Sequence, residues 1–340
     1  MATPRLQNAF IKPAYQAMVR QRILKKSAIF NSAATLRTAE YDALAAGTGT
    51  QAIMPWLAPL DGNVDIGALD ASIRGAVDPL KMGTMVSQKD FLAKSWGISN
   101  LDARLAGVED VLVLPTAADW TADYWTRVME DLLVAKLTGV VADNVANDGG
   151  DLVVNVGNDA TGAVADAQKF SPNAFIDAML TMGDAFDDLA LVVMPVQVYG
   201  TALKQDGISF VQPSAVQPFR TYRGVPVIVS DNPNLYTSGT NRKTFNTYFL
   251  GRDSILFGSA EGIQGDNVID LDEHAANNMG AKDLITRQHL YMHVAGFSSN
   301  APVVAGYASP TFDAYKQASA WDRVANERKQ VKIAVLKSNG

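Results

Sequence analysis

The chain of 340 residues contains no cysteine. It therefore cannot form a disulfide, use a thiolate as a nucleophile or bind zinc through sulfur ligands. It also lacks any run of about 18 apolar residues, and its N-terminus lacks the apolar core of a signal peptide. These absences exclude several enzyme classes and a membrane-spanning helix, and they predict a protein that stays in the cytoplasm.

The short motifs that most often reveal a catalytic or nucleotide-binding site are also missing. No G-x-G-x-x-G follows a strand pattern, no G-x-x-x-x-G-K-[ST] occurs, and no serine lies in G-x-S-x-G. The tryptophans lie in apolar or helical segments, where core packing explains them better than ligand stacking. We therefore predict no catalytic residue and no cofactor, which favours a structural protein.

Histidine is scarce, and the three that occur are His274, His289 and His293. The last two are four residues apart, as metal ligands on a helix would be. Their segment, QHLYMH, lacks the glutamate of a metalloprotease helix and has strand-like composition. On a strand the two side chains would share a face but lie roughly 13 Å apart, which argues against a shared metal ion.

Acidic residues form the other candidate metal site, with Asp266, Asp270, Asp272 and Glu273 close together in the sequence. Their oxygens could bind Mg²⁺ or Ca²⁺, but a solvated loop face explains them better. The run from 143 to 151 has the composition of a calcium loop, yet no frame gives the required ligand spacing. We predict no metal site.

The net charge of −6 argues against a general nucleic-acid-binding protein, but the N-terminal segment is an exception. Residues 1–38 carry basic residues and no acidic ones, interspersed with apolar side chains. This pattern favours docking on an acidic surface of a neighbouring subunit, with nucleic-acid contact and a solvated tail as alternatives. The basic residues are Arg5, Lys12, Arg20, Arg22, Lys25, Lys26 and Arg37.

The longest helical pattern runs over about 116–141, and the rest of the chain is expected to pack around it. Tyr124, Trp125, Val128, Leu132 and Ala135 recur on one face at helical spacing, so that face is expected to be buried. Such a helix is much longer than the average of about 11 residues. We expect Gly139, near the end of this helix, to loosen the last turns, and we expect the polar run 143–151 to be a loop.

Residues 51–89 combine the apolar, proline-punctuated segment IMPWLAPL with a long stretch that has no clear helix or strand period. Long irregular segments in compact domains usually have a function. We expect a neighbouring subunit to order this one.

The remaining patterns mix helices and strands and predict an α+β fold. Residues 90–105 are expected to form a short helix and turn, and 111–114 a strand. Later patterns predict helices over 171–186 and 196–204, strands over 189–194 and 284–294, strand pairs over 219–229 and 244–257, a helix from 309 to about 324 and a final strand over 330–336.

In this order, several segments resemble the major capsid protein of tailed bacteriophages with the Hong Kong 97-like fold. The resemblance covers nearly the whole chain and lies in the order of the pieces, each of them weak alone. They are WGISNL (96–101), LAG (105–107), DYWTR (123–127), LTGV (137–140), SPNAFIDAMLTMGDAFDD (171–188), LALVVMPVQVYGTALKQD (189–206), FRTYRGVPVIVSDNP (219–233), HVAGF (293–297), WDRV (321–324) and KIAVLKSN (332–339).

The resemblance implies a division of the chain into four parts. Residues 1–50 would be an N-terminal arm and 51–89 an extended loop that lies across a neighbouring subunit. Residues 90–170 and 295–340 would form a peripheral domain containing a spine helix over about 116–141, and 171–294 would form the axial domain.

The function implied is structural, and no enzymatic activity is expected. Subunits would assemble into pentamers and hexamers of an icosahedral head shell around double-stranded DNA, in the virion after assembly in the bacterial cytoplasm. Portal, scaffolding and decoration proteins would be partners, with no membrane contact and no covalent crosslinking of subunits. The alternatives are an encapsulin, which is a cellular shell protein, and a cytosolic α/β enzyme.

Overall fold

The computed structural model confirms a mixed α+β fold. It describes residues 22, 27–57, 60, 64–67, 69–70, 72–75, 77–106, 115–205, 208–211, 219–260, 267–325 and 327–340. Helices in these ranges are α1 (Ala39–Ala46), α2 (Asn100–Leu105), α3 (Pro115–Asn147), α4 (Pro172–Leu180), α5 (Val196–Lys204), α6 (Ala275–Asn278, a distorted turn) and α7 (Phe312–Tyr315).

Sixteen strands lie in the same ranges. They are β1 (Thr35–Arg37), β2 (Gln51–Leu57), β3 (Met82–Ser99), β4 (Val153–Asn155), β5 (Leu189–Pro195), β6 (Ile208–Val211), β7 (Phe219–Tyr222), β8 (Val225–Ser230), β9 (Tyr236–Ser238), β10 (Lys243–Gly251), β11 (Ile255–Ser259), β12 (Asn267–Asp272), β13 (Ala281–Val294), β14 (Phe297–Ser299), β15 (Trp321–Arg323) and β16 (Ile333–Ser338).

The two larger sheets are each built from distant parts of the chain. One has the order β1-β11-β13-β3-β2, with β12 also paired to β13. The other has the order β4-β16-β10-β5-β8-β7-β6, with β9 also paired to β10. The strand pairings therefore cross the predicted boundaries, because β11, β12 and β13 of the range 171–294 join the sheet of β3. The C-terminal strand β16 joins the sheet of β5 and β10.

Helix α3 is the spine predicted from the sequence, and it is longer than expected. Its 33 residues span about 50 Å at 1.5 Å per residue. The polar run after Val141 continues the helix to Asn147 because its side chains bond locally. The Asn147 amide donates to Asp143 at 2.6 Å, and the Asn144 amide donates to Asp151 at 2.7 Å.

The buried face of α3 contributes to an apolar core that also receives residues from both large sheets. Trp125 and Leu132 are fully buried there, as the periodicity predicted, with Leu191 from β5 and Leu290 from β13. A second core lies between α4, α5 and the sheet of β5 and β10. It is formed around Phe170, Phe175, Tyr222, Phe249 and Leu336.

Two further sequence predictions for secondary structure were wrong. Residues 90–99 belong to the 18-residue strand β3 rather than to a helix, since they pair with β13 along their whole length. The helix predicted from Ser309 to Val324 is one turn, α7, capped by Thr311. Ser309 instead accepts a hydrogen bond from the amide of Phe91 at 2.8 Å.

Several other predictions were confirmed. Ser171 caps α4 by accepting the amide hydrogen of Ala174, and β5 is followed directly by α5. Strands β7 and β8 are joined through Arg223 and Gly224, which both have positive φ. Strands β10 and β11 also form, but each pairs within a different sheet. The strand predicted at 111–114 lies outside the described residues.

Candidate subunit interfaces

The most exposed apolar segment of the structure lies between β2 and β3. These strands pair in antiparallel register from Gln51 with Gln88 to Leu57 with Met82. We call residues 51–88 the β2–β3 extension. The residues described between the two strands include apolar side chains that are mostly or fully exposed: Leu60, Val64, Ile66, Leu69, Ile73, Val77 and Leu80.

A polar cluster fixes the base of the extension to the body of the subunit. Asp90 and Lys136 are each 1% exposed, and the Lys136 Nζ lies 2.6 Å from an Asp90 carboxylate oxygen. The same ammonium donates to the Met292 carbonyl at 2.7 Å, and the Tyr315 hydroxyl donates to the other Asp90 oxygen at 2.8 Å. Both carboxylate oxygens of Asp90 and two of the three ammonium hydrogens of Lys136 are thus hydrogen-bonded.

Burial and pairing act in opposite directions on the two charges. Burial raises the pKa of the Asp90 carboxyl and lowers the pKa of the Lys136 ammonium. Their contact and the Tyr315 hydrogen bond oppose these shifts by stabilising the charged forms. The Lys136 ammonium also lies 4.5 Å from the centre of the Tyr315 ring, which adds a cation–π contact.

An apolar pocket of about 300 Å³ opens beside the N-terminal part of α3. Its aromatic walls are Trp96 from β3 and Trp120 and Tyr124 from α3, and it is completed by Ala117, Thr121 and Leu284. Trp96 and Tyr124 meet edge to face, with ring centres 5.0 Å apart. Trp120 is 59% exposed, so the expectation that core packing explains every tryptophan is wrong at this position.

Arg22 forms an ion pair with the N-terminal part of α3. Its guanidinium is 3.1 Å from the carboxylate of Asp119, the residue that precedes Trp120 on α3. The other basic residues of the predicted cationic segment lie outside the described residues, except Arg37. Arg37 pairs with Asp42 within the subunit at 3.3 Å. Docking of residues 1–38 on a neighbour therefore stays a prediction.

In the described residues, His289 and His293, the pair considered as metal ligands, belong to no cluster that could hold a metal ion. His293 is fully buried on β13, and its Nε2 lies 2.7 Å from the Phe297 carbonyl. Burial lowers the pKa of His293 to about 3, so the ring is neutral and Nε2 is the donor. His289 instead meets Phe91 edge to face at 5.1 Å, and His274 is exposed.

The described acidic residues of this group lie in a turn and a strand rather than in a cation site. Asp272 accepts hydrogen bonds from the amides of His274 and Ala275, and Asp270 lies within the pairing of β12 with β13. Asp266 lies outside the described residues. In the part of the chain that the structure describes, no three histidine or acidic side chains are placed to hold a metal ion. No helix there is long and apolar enough to cross a membrane.

Comparison with solved structures defines the class of fold. The "Cyanophage Pam1 capsid asymmetric unit" aligns with a TM-score of 0.57 at 12% identity, covering 88% of this chain and 87% of that one. The "Capsid of Ralstonia phage GP4" aligns with a TM-score of 0.51 at 12% identity, covering 77% and 83%. The chain has the Hong Kong 97-like capsid fold.

Sequence comparison identifies the family. The family model for Gp13-like proteins, described as "Major capsid protein 13-like", matches residues 116–332. The chain belongs to this family of major capsid proteins. It is also 27% identical over 338 residues to the major capsid protein of Bacillus phage SPP1, covering 97% of this chain and 96% of that protein.

Sequence reasoning identified the family from the order of segments and the extended loop at 51–89, but missed the Asp90–Lys136 pair and the apolar pocket beside α3. Lys136 did carry a signal, since it is the one charged residue in the apolar segment LLVAKLTGVV (132–141). A buried lysine requires a partner. Its partner Asp90 is 46 residues away, and no local pattern connects the two.

Proposed function

We propose that this major capsid protein assembles into the pentamers and hexamers of an icosahedral phage head, and that the β2–β3 extension of each subunit packs across a neighbour. The packing of the extension on a neighbour is supported by one observation, the row of exposed apolar side chains between β2 and β3. Portal, scaffolding and decoration proteins, and packaged double-stranded DNA, are proposed as further partners. Assembly would take place in the bacterial cytoplasm and the product would be the virion.

The exposed apolar side chains give the extension a strong tendency to associate. Burying one leucine or isoleucine side chain contributes about 1.5–3 kcal/mol. Several such residues, including Ile66 and Leu69, would contribute on the order of 10 kcal/mol before the entropy cost of association. A monomer gains none of this, because the described part of the extension leaves these side chains in water.

We propose that the pocket of Trp96, Trp120 and Tyr124 is the receiving surface on the neighbour. It is almost wholly apolar, and its volume is sufficient for one or two aliphatic side chains. Exposed aromatic side chains beside a pocket are typical anchors of protein interfaces. The alternative occupant is the basic N-terminal segment, one residue of which, Arg22, pairs with Asp119 on α3.

We infer a division of the subunit that follows strand pairing rather than the boundaries predicted from sequence. The sheet of β4, β5, β10 and β16 with α4 and α5 would be the axial domain. The spine α3, with β3, β11 and β13, would belong to the peripheral domain. The function proposed is mechanical, so we propose no enzymatic activity. Membership in a phage capsid family makes the encapsulin and enzyme alternatives less favoured.

The proposal is tested by shortening the extension without disturbing its root. Leu57 and Met82 are paired across the two strands, so a two-residue Asn-Gly turn replacing 58–81 closes a regular hairpin. We expect this variant to fold with the circular dichroism of the parent but to form no shells by electron microscopy and sedimentation. Normal shells would refute the proposed role of the extension.

Point variants separate apolar burial from a general effect of changing the extension. Ile66→Asp places a charge on a fully exposed apolar position, and we expect it to block assembly. Asp78→Ser is the matched control, because it changes an exposed polar residue of the same segment. We expect the control to form normal shells. Equal assembly of both variants would contradict burial of Ile66 between subunits.

A further inference from the structure

We propose that Lys89 and Asp90 are positioning residues that set the direction in which the β2–β3 extension leaves the subunit, and thereby the uniform curvature of the shell. This inference rests on the proposed function. It concerns the root of the extension rather than the apolar surface that packs on a neighbour.

The two residues lie where β3 changes partners. Residues 89–99 of β3 pair with β13, and the last pair joins Lys89 to Tyr291. Residues 82–88 pair with β2, beginning with Gln88 opposite Gln51. Lys89 and Asp90 therefore stand at the point where the strand passes from the body of the sheet into the extension.

Polar contacts hold this point from both faces of the strand. Consecutive side chains of a strand point to opposite faces. Lys89, 2% exposed, donates to the carbonyls of Gly47 and Thr48 just after α1, at 2.9 and 3.2 Å. Asp90 faces the other way and pairs with Lys136 of the spine helix at 2.6 Å.

Neighbouring residues add contacts at the same level. The Gln88 side-chain amide donates to the Ala301 carbonyl at 2.7 Å, and the backbone amide of Phe91 donates to the Ser309 hydroxyl at 2.8 Å. Four consecutive residues of β3 are thus each tied to a different segment. Beyond them, between residues 60 and 81, the described side chains are mostly exposed.

The type of contact explains why we assign these residues a role in positioning the extension rather than in stabilising the subunit. Apolar packing is non-directional, whereas a buried charged pair with matched hydrogen bonds is satisfied in only one arrangement. Replacing a buried ion pair by apolar residues is often neutral for stability, but it removes that constraint. A small rotation at the root would be magnified at the end of the extension, where the neighbour is contacted.

The test compares shells of a variant that lacks the Asp90–Lys136 ion pair with shells of a control variant. The double variant Asp90→Leu with Lys136→Met removes the pair while keeping the site filled. We expect it to unfold cooperatively, at a lower temperature than the parent because the Tyr315 hydroxyl and the Met292 carbonyl lose their partners, yet to lose uniform shell diameter, giving mixed sizes or tubes by electron microscopy. The control, Asp188→Asn with Lys332→Met, removes an exposed ion pair of 2.6 Å elsewhere and should leave the diameter unchanged.

A milder variant keeps the inference testable if the double variant fails to fold. Tyr315→Phe retains the ring beside Lys136 and removes only the hydrogen bond to Asp90. We expect a smaller but measurable spread in diameter. Shells of parental diameter from either folded variant would overturn the inference. Absence of shells from the parent chain, expressed with its scaffold, would instead overturn the proposed function.

Discussion

Gly139, in the C-terminal part of the spine helix α3, provides the sharpest test of how the helix packs. The sequence suggests that a glycine here loosens the helix. In the structure its missing side chain is what allows close approach of another segment. A Cβ at this position would lie within van der Waals overlap of the Tyr315 carbonyl oxygen and the Trp321 indole nitrogen.

The expected change in the free energy of unfolding for Gly139→Ala is the sum of one stabilising and two destabilising contributions. Alanine instead of glycine in a helix stabilises by about 0.8–1 kcal/mol. Overpacking typically destabilises by about 1–3 kcal/mol. The same displacement would break the 2.8 Å hydrogen bond from the Trp321 indole to Tyr315, adding about 1–3 kcal/mol for buried groups left unpaired. We expect Gly139→Ala to destabilise the subunit by a net of about 1–5 kcal/mol.

Gly200 is the matched control, since it lies in helix α5 with open space around the position of a Cβ. We expect Gly200→Ala to stabilise by about 0.5–1 kcal/mol. Urea unfolding of the unassembled subunit, monitored by circular dichroism, measures both changes. If Gly139→Ala proved as stable as Gly200→Ala, the close packing of Tyr315 and Trp321 on the spine would be refuted.

Two further predictions concern buried polar groups. Burial lowers the pKa of His293 to about 3 from the ordinary 6.5, so the stability it contributes is fully present above pH 6.5 and is lost as pH falls toward 3. Between pH 6.5 and 4.5 the unfolding free energy should fall by up to about 2.3 kcal/mol relative to His293→Gln, and parallel curves for the two proteins would contradict this. Arg328 donates to the Asp151 and Ile333 carbonyls and to the Thr181 hydroxyl, at 2.8–3.1 Å. Arg328→Lys should destabilise by about 1–2 kcal/mol in urea unfolding because one ammonium cannot reach all three, whereas Lys329→Ala, at an exposed neighbour, should have little effect.

Local patterns predicted the elements whose signals are contained in a few consecutive residues. The buried face of α3, the Ser171 cap and the turn at Arg223 and Gly224 all depend on near neighbours. The end of α3 was placed too early because Asn144 and Asn147 bond to nearby side chains and keep the helix intact.

Long-range pairing could not be predicted from the same patterns. Nothing local to residues 90–99 indicates that β13 lies beside them, about 190 residues away in the chain, and a helix was wrongly preferred. The pairing of Asp90 with Lys136 and the pocket around Trp120 likewise require the fold. The family could still be predicted, because the order of the segments along the chain resembles that of the family even though each motif is weak alone.

The most direct test of the central claim is crosslinking within assembled shells. Because the chain has no cysteine, no native thiol competes with an introduced pair. Trp120→Cys is combined in turn with Ile66→Cys, Leu69→Cys or Ile73→Cys, and oxidised shells are run on denaturing, non-reducing gels. Packing of the extension into the pocket of a neighbour predicts a ladder of covalent oligomers from at least one pair, and none when Val145→Cys replaces Trp120→Cys. Intact shells that yield only monomers from all three pairs would contradict the account.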